Sequence, residues 1–173
     1  MRTVRRGGPY LRVADPGWED PLSGAYAEER GGRWNPPGSF PVVYLCATVE
    51  VARANVYRLL AGQPYGPEDL DPENAPMLVR TKVPAGRYAD VVSAAGVRAA
   101  GLPATYPKDG RGRPIAAQRC RPVGVEAHET GLAGVACRSA ATGAPKGGQE
   151  LAHFDRGRRL RASAVEGFED WFW

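Results

Sequence analysis

The chain has 173 residues, 43% of them hydrophobic and 24% charged, which is close to the globular average and enough for one domain with a sizeable core. No apolar run approaches the roughly 18 residues of a membrane helix, and the basic start, MRTVRRGGPYLRV, has no apolar stretch of the kind a secretory signal carries. Three widely spaced cysteines (Cys46, Cys120, Cys137) exclude a dense disulfide framework and a CxxC zinc site, so reduced, buried thiols in a cytoplasmic protein are expected.

The formal net charge is +4, with arginines grouped at Arg5-Arg6, around Arg111 and Arg113, and in Arg156, Arg158, Arg159 and Arg161. Such clusters suit an anionic ligand, or simply a solvated surface. Gly and Pro number 22 and 16, so many turns and short elements are expected rather than a helical bundle.

Tyr10–Val13 reads as a first strand. Residues 15–38 read as a long ordered loop, held by Trp18, Tyr26 and Trp34. Pro41–Ala47 (PVVYLCA) is the clearest strand, with Val43 and Leu45 on one face and Tyr44 and Cys46 on the other. Thr48 can cap a helix over 49–61 that stops at Gly62. Its apolar stripe is Val49, Ala52, Val56, Leu59 and Leu60, with the polar Asn55 on or beside it. A loop over 63–76 leads to a strand over 77–83, a Pro-Ala-Gly turn, a short helix within 88–100 and a second loop over 101–114. Val123–Ala127 reads as a weaker strand, 128–132 as a turn, and Gly134–Ala140 as an apolar strand with Val135, Cys137 and Ser139 on one face. The tail, 149–173, carries one further strand (LAHF) and ends in FEDWFW. With no repeat and no long linker, residues 1–173 form a single α+β domain with a mixed sheet and few helices.

The familiar site motifs are missing. There is no GxxxxGK[ST], no strand–GxGxxG–helix unit, no GxSxG and no helix-turn-helix or zinc-finger pattern. His128 and His153 lack metal-spaced partners and read as surface or edge residues, and no metal site or bound cofactor is expected. What remains is the loop Gly31-Gly32-Arg33-Trp34-Asn35-Pro36-Pro37-Gly38. Its glycines permit close approach to a ligand, and Arg, Trp and Asn offer a phosphate fork, a stacking face and an amide. The structural alternative is an Ω-loop with Trp34 as a core plug.

GGRWNPPG, followed by a strand with Tyr44, a Thr-capped helix and a late strand ending in Ser139, resembles the RES-domain family, most specifically over residues 10–140. The resemblance implies a twisted β core similar to that of ADP-ribosyltransferases. It also implies a bacterial toxin of a toxin–antitoxin pair, neutralised by a Xre-type antitoxin, that cleaves the nicotinamide–ribose bond of NAD⁺ with phosphate or water as acceptor. By the same resemblance Arg33 and Arg12 hold the diphosphate, Tyr44 and Trp34 bracket a ring, Asn35 lies in the ligand loop, and Ser139 hydrogen-bonds the amide or ribose.

The family glutamate does not carry over. It stands seven residues after the capping Ser/Thr, and here that position is Asn55. Glu50, five residues earlier, points about 140° away around the helix. Losing a carboxylate beside a developing ribosyl cation typically costs a few orders of magnitude. Two expectations follow: an attenuated NAD⁺-cleaving enzyme, or a RES-like module that binds a nucleotide or another ligand without turnover. Direct nucleic-acid binding rests on charge alone and is not expected.

Overall fold

A computed structural model describes all residues, 1–173. The order is β1 (Thr3–Ala14), α1 (Ala25–Arg30), β2 (Val42–Cys46), α2 (Val49–Leu59), β3 (Met77–Val91), α3 (Ala94–Ala99), α4 (Ala117–Glu129), β4 (Gly134–Arg138), β5 (Gln149–Phe154), β6 (Ala162–Glu166) and α5 (Phe168–Phe172), with a short 3₁₀ turn at Pro67–Asp69. This is the expected mixed, twisted sheet with few helices.

The strands run β1-β2-β5-β4-β3-β6, and β1 also pairs with β3, so five strands close on themselves and β6 lies along β3. Only β3–β4 is parallel. The β1–β3 ladder is the longest, from Ala14↔Met77 to Thr3↔Ala89, and the β1–β2 seam is a single pair, Leu11↔Cys46. The expected turn at Pro84-Ala85-Gly86 is instead an irregularity within β3, where the register slips opposite Arg6–Gly8. Pro84 has no N–H to give to a ladder, and Gly7 and Gly8 let the partner strand bulge around it.

Central strand β5 comes from the tail. Its partners are β2 on one side (Tyr44↔Ala152, Cys46↔Glu150) and β4 on the other (Val135↔Ala152, Cys137↔Glu150). Directly paired residues share a sheet face, so Tyr44, Cys46, Cys137 and Glu150 lie on one side. That side carries the core cluster of Val42, Val135, Ala152 and Phe154, covered by Trp34, Val97 of α3 and Cys120, Val123 and Ala127 of α4. The other face holds Val43, Leu45, Val79, Tyr88, Ala136 and Leu151. A third cluster joins α2 to α5, where Val51, Ala52 and Val56 meet Phe168, Trp171 and Phe172.

Three further sequence expectations change. Residues 15–38 contain α1 rather than loop alone. Residues 123–127 are part of α4, whose buried positions, Cys120, Val123, Gly124 and Ala127, follow the helical period. Helix α2 starts at the Thr48 cap, whose hydroxyl accepts the Val51 N–H, but its buried face is Val51, Ala52, Asn55 and Val56, leaving Leu59 exposed. Asn55 therefore sits in the middle of the buried stripe.

Candidate functional site

The GGRWNPPG loop folds over the Tyr44 face of the sheet, and its polar groups largely satisfy one another. The Tyr44 hydroxyl accepts the Trp34 N–H (3.0 Å) and donates to Asn35 Oδ1 (2.9 Å). Asn35 Nδ2 donates to the carbonyls of Ala27 (2.6 Å) and Phe40 (3.2 Å). Burial pushes the Tyr44 phenol well above its ordinary range, with the Trp34 N–H opposing. A Cβ on Gly32 would come within 2.2 Å of the Tyr44 hydroxyl, so only glycine allows this approach.

Two residues of the loop are thereby reassigned. Trp34 is 0% exposed and packs beside Tyr106, with ring centroids 6.2 Å apart, so it offers no face to a ligand. Asn35 is equally buried and has no free donor or acceptor, so its part is to anchor Tyr44. The loop is both a core plug and a platform, and what it presents outward is Arg33. One Arg33 nitrogen, Nη1, donates to the Ile115 carbonyl (2.8 Å) and lies 3.9 Å from the Cys120 thiol, while Nε and Nη2 of the half-buried guanidinium have no protein acceptor.

Arg12 is not part of this group. Leu11 pairs with Cys46, so its neighbour Arg12 points to the opposite sheet face. There Nη1 donates to the Ser23 carbonyl (2.8 Å) and the guanidinium lies 5.0 Å over the Trp18 ring. Burial holds its pKa down at about 10 despite nearby Asp20. Its visible work is to pin residues 18–23 to β1, on the sheet face opposite the one that carries Tyr44 and Glu150.

Asn55 and Ser139 do come together, and a residue that the sequence reading passed over joins them. Glu150 Oε1 accepts from Asn55 Nδ2 (2.9 Å) and from Ser139 Oγ (2.7 Å). Asn55 Nδ2 also reaches the Val51 carbonyl (3.1 Å) and Cys46 Sγ (3.5 Å), while its Oδ1 accepts from Arg58 Nε (3.0 Å). Ser139 Oγ in turn accepts the Ala141 N–H (3.2 Å). The second oxygen, Glu150 Oε2, has no protein donor and is not sealed from solvent. Asn55 and Ser139 are each 8% exposed, whereas Glu150 is half-buried.

The Arg33 and Glu150 regions share one electrostatic environment. Burial raises the Cys137 thiol well above its ordinary range; the Glu150 charge adds to this and Arg33 opposes it. Tyr106 is raised in the same way, and feels both charges. Cys46 is raised by burial and Glu150, against the Asn55 hydrogen bond and Arg58. Glu150 and Arg33 thus act on the same buried groups, Cys137 and Tyr106, and Glu150 and Arg58 act together on Cys46, all of which stay neutral.

A surface hollow of about 550 Å³, lined among others by Thr105, Asp109, Arg113, Ile115 and Arg119, shares Ile115 with the Arg33 contact. Another, of about 560 Å³ around Asp155, Arg159 and Arg161, contains none of the site residues.

Glu150 was missed because the sequence reading began the last strand at Leu151. Alternation sets Glu150 on the same face as Ala152, and only the pairing of β5 with β2 makes that the Tyr44 and Cys46 face. Arg58, three residues beyond Asn55 on α2, carried no signal of its own. His153, expected at a surface or edge, is buried, with Nδ1 2.9 Å from the Tyr88 hydroxyl, and His128 stacks on Phe40 at 4.0 Å. The three cysteines are free and buried, as expected.

Residues 9–172 match the family model of the RES domain. The chain belongs to the RES-domain family. The match runs through the tail that carries β5, β6 and α5. This RES domain is also similar to a chain of the crystal structure of the M. tuberculosis MbcT–MbcA toxin–antitoxin complex, with TM-score 0.77 and 24% identity, covering 95% of this chain and 86% of that one. At that identity the likeness speaks for the fold. No curated protein matches the sequence. No helix of this RES domain is long and apolar enough to cross a membrane.

Proposed function

We propose that this RES domain is the toxin of a toxin–antitoxin pair and that it consumes NAD⁺ by cleaving the nicotinamide–ribose bond. The observation that carries the reading is a solvent-reaching carboxylate, Glu150, linked through Asn55 to Arg58 and set on the sheet face that the Arg33 loop covers, both arginines having uncommitted nitrogens. A dinucleotide needs cations for its diphosphate and a negative charge where its ribose becomes positive.

In the step proposed, the C1″–N1 bond breaks and the pyridinium nitrogen keeps the electron pair, releasing neutral nicotinamide. An oxygen of phosphate or water forms the new bond to C1″. With phosphate, the products are nicotinamide and ADP-ribose 1″-phosphate; with water they are nicotinamide, ADP-ribose and a proton. Arg33 holds the diphosphate with the nitrogens that Ile115 does not use. Tyr44, fixed through its hydroxyl, holds the loop that carries Arg33. Ser139 is oriented toward the carboxylate. Arg12 and Trp34 have no role in this scheme beyond support.

The decisive assay is nicotinamide release from NAD⁺ by the purified chain, with and without phosphate. Release that Arg33→Ala reduces by about tenfold or more, through a raised KM, supports the reading; no NAD⁺ loss at high protein concentration refutes it. A second reading, binding without turnover, is favoured by the absence of an acid at position 55; it predicts saturable NAD⁺ binding with the dinucleotide recovered intact. A Xre-type antitoxin is the proposed partner, and suppression of nicotinamide release on adding it would establish the pair.

A further inference from the structure

We propose that Glu150, on β5, is the catalytic carboxylate of this chain, and that Asn55 is its positioning residue. This rests on the NAD⁺-cleaving reading above and specifies which side chain does the work.

On sequence alone, the Asn55 amide at the position of the helix acid looks like a loss. In the fold, its Nδ2 is 2.9 Å from Glu150 Oε1 and its Oδ1 takes the Arg58 Nε–H. The amide thus donates to a carboxylate on one side and accepts from a guanidinium on the other, which an ionised carboxylate at this position could not do. A glutamate here would set two carboxylates face to face in a largely buried site, where like charges cannot both be ionised cheaply. The negative charge at this site is therefore carried by Glu150 on β5 and not by α2.

Glu150 is also built to be used. Asn55 and Ser139 lock Oε1 from two sides, so the carboxylate is preorganised rather than free to rotate. Oε2 points to no protein donor and remains open for a positive centre or for an acceptor proton. Beneath it, Cys46 and Cys137, its directly paired neighbours on β2 and β4, are buried thiols held neutral, so no other anion competes at the site. When Oε2 faces the breaking C1″–N1 bond, the carboxylate stabilises the ribosyl cation. When water is the acceptor, the same oxygen takes its proton as the new C1″–O bond forms.

The test measures nicotinamide release and NAD⁺ affinity for the wild type, Glu150→Gln, Asn55→Glu and the exchanged pair Asn55→Glu/Glu150→Asn, with thermal unfolding as a folding control. Glu150→Gln keeps the Oε1 acceptor and so keeps the fold; its kcat is expected to fall roughly 10²–10³-fold while NAD⁺ affinity changes little. Asn55→Glu is expected to lower activity rather than raise it. The exchanged pair, with one carboxylate and one amide restored, is expected to recover at least about tenfold over Asn55→Glu, which a merely structural Asn55 would not produce. If Glu150→Gln fails to fold, Glu150→Asp, which keeps the charge one methylene away, takes its place with a smaller expected loss. An active wild type with an undiminished Glu150→Gln, or an Asn55→Glu variant more active than wild type, overturns the assignment of Glu150 and leaves the NAD⁺ reading standing. A silent wild type overturns both.

Discussion

At the scale of the residue, the site is defined by which polar atoms are already spent. Every side-chain polar atom of Asn35 has a buried protein partner, Trp34 has no exposed face, and Arg12, with one nitrogen on Ser23 and its plane over Trp18, lies on the opposite sheet face. Arg33, Arg58 and Glu150 keep atoms in reserve, and those are the atoms a ligand can take. The thiols give an independent check on the same environment. Burial raises Cys46, Cys120 and Cys137, and for Cys46 and Cys137 the Glu150 charge raises them further. Because only the thiolate is nucleophilic, the native chain treated with iodoacetamide at pH 8 is expected to gain no label at any cysteine, and to gain three only after denaturation. Rapid native labelling of Cys46 or Cys137, read by mass spectrometry, would contradict the picture of a dry floor beneath Glu150.

At the scale of the element, close backbone contacts set where the ligand loop lies. Helix α4 crosses the loop at Gly124, where a Cβ would sit 1.7 Å from the Trp34 carbonyl oxygen, a collision with backbone that no rotamer relieves. Gly124→Ala is therefore expected to cost about 1–3 kcal/mol or more in urea unfolding, and an unchanged midpoint would refute the contact. The same contact shows what was legible in the sequence. Strand β2, the Thr48 cap and helix α2 announce themselves through local pattern, and they place Tyr44 and Asn55 correctly. Helix α4 was masked because Val123, Val125 and Ala127 alternate as a strand would, while its true period needs Cys120 and Gly124 as well. Glu150 was invisible for a different reason. It becomes part of a site only through pairing with Cys46, 104 residues earlier in the chain, and no local pattern encodes that register. For Arg12, too, the facing direction is fixed by the single Leu11↔Cys46 pair at the seam of the sheet.

At the scale of the whole molecule, the tail closes the structure. It supplies the central strand β5, and α5 packs Phe168, Trp171 and Phe172 against α2, with Trp171 Nε1 donating to the Pro76 carbonyl and Arg53 Nη2 reaching the carbonyls of Trp171 and Trp173. The helix that holds Asn55 is thus braced by the end of the chain. Global stability should also respond to mild acid through the histidines. Burial lowers the pKa of both His153 and His128, with Arg156 adding to the effect at His128. Below about pH 6.5 the unfolded chain takes up protons that the folded chain resists, so stability is complete above that value and declines as pH falls through it. The melting temperature is expected to drop between pH 7.5 and 5.5, above the range in which Asp90 and Asp109, both lowered mainly through hydrogen bonds, begin to protonate. His153→Gln should flatten part of that drop, and a melting temperature that rises toward pH 5.5 would contradict the burial of these rings.

The chemistry of this site turns on the negative charge of β5, carried by Glu150. The most direct measurement is single-turnover nicotinamide release at saturating NAD⁺, wild type against Glu150→Gln. A loss of roughly 10²–10³-fold with NAD⁺ still bound is the predicted result; equal rates in the two proteins would show that the carboxylate between Asn55 and Ser139 takes no part in the chemistry.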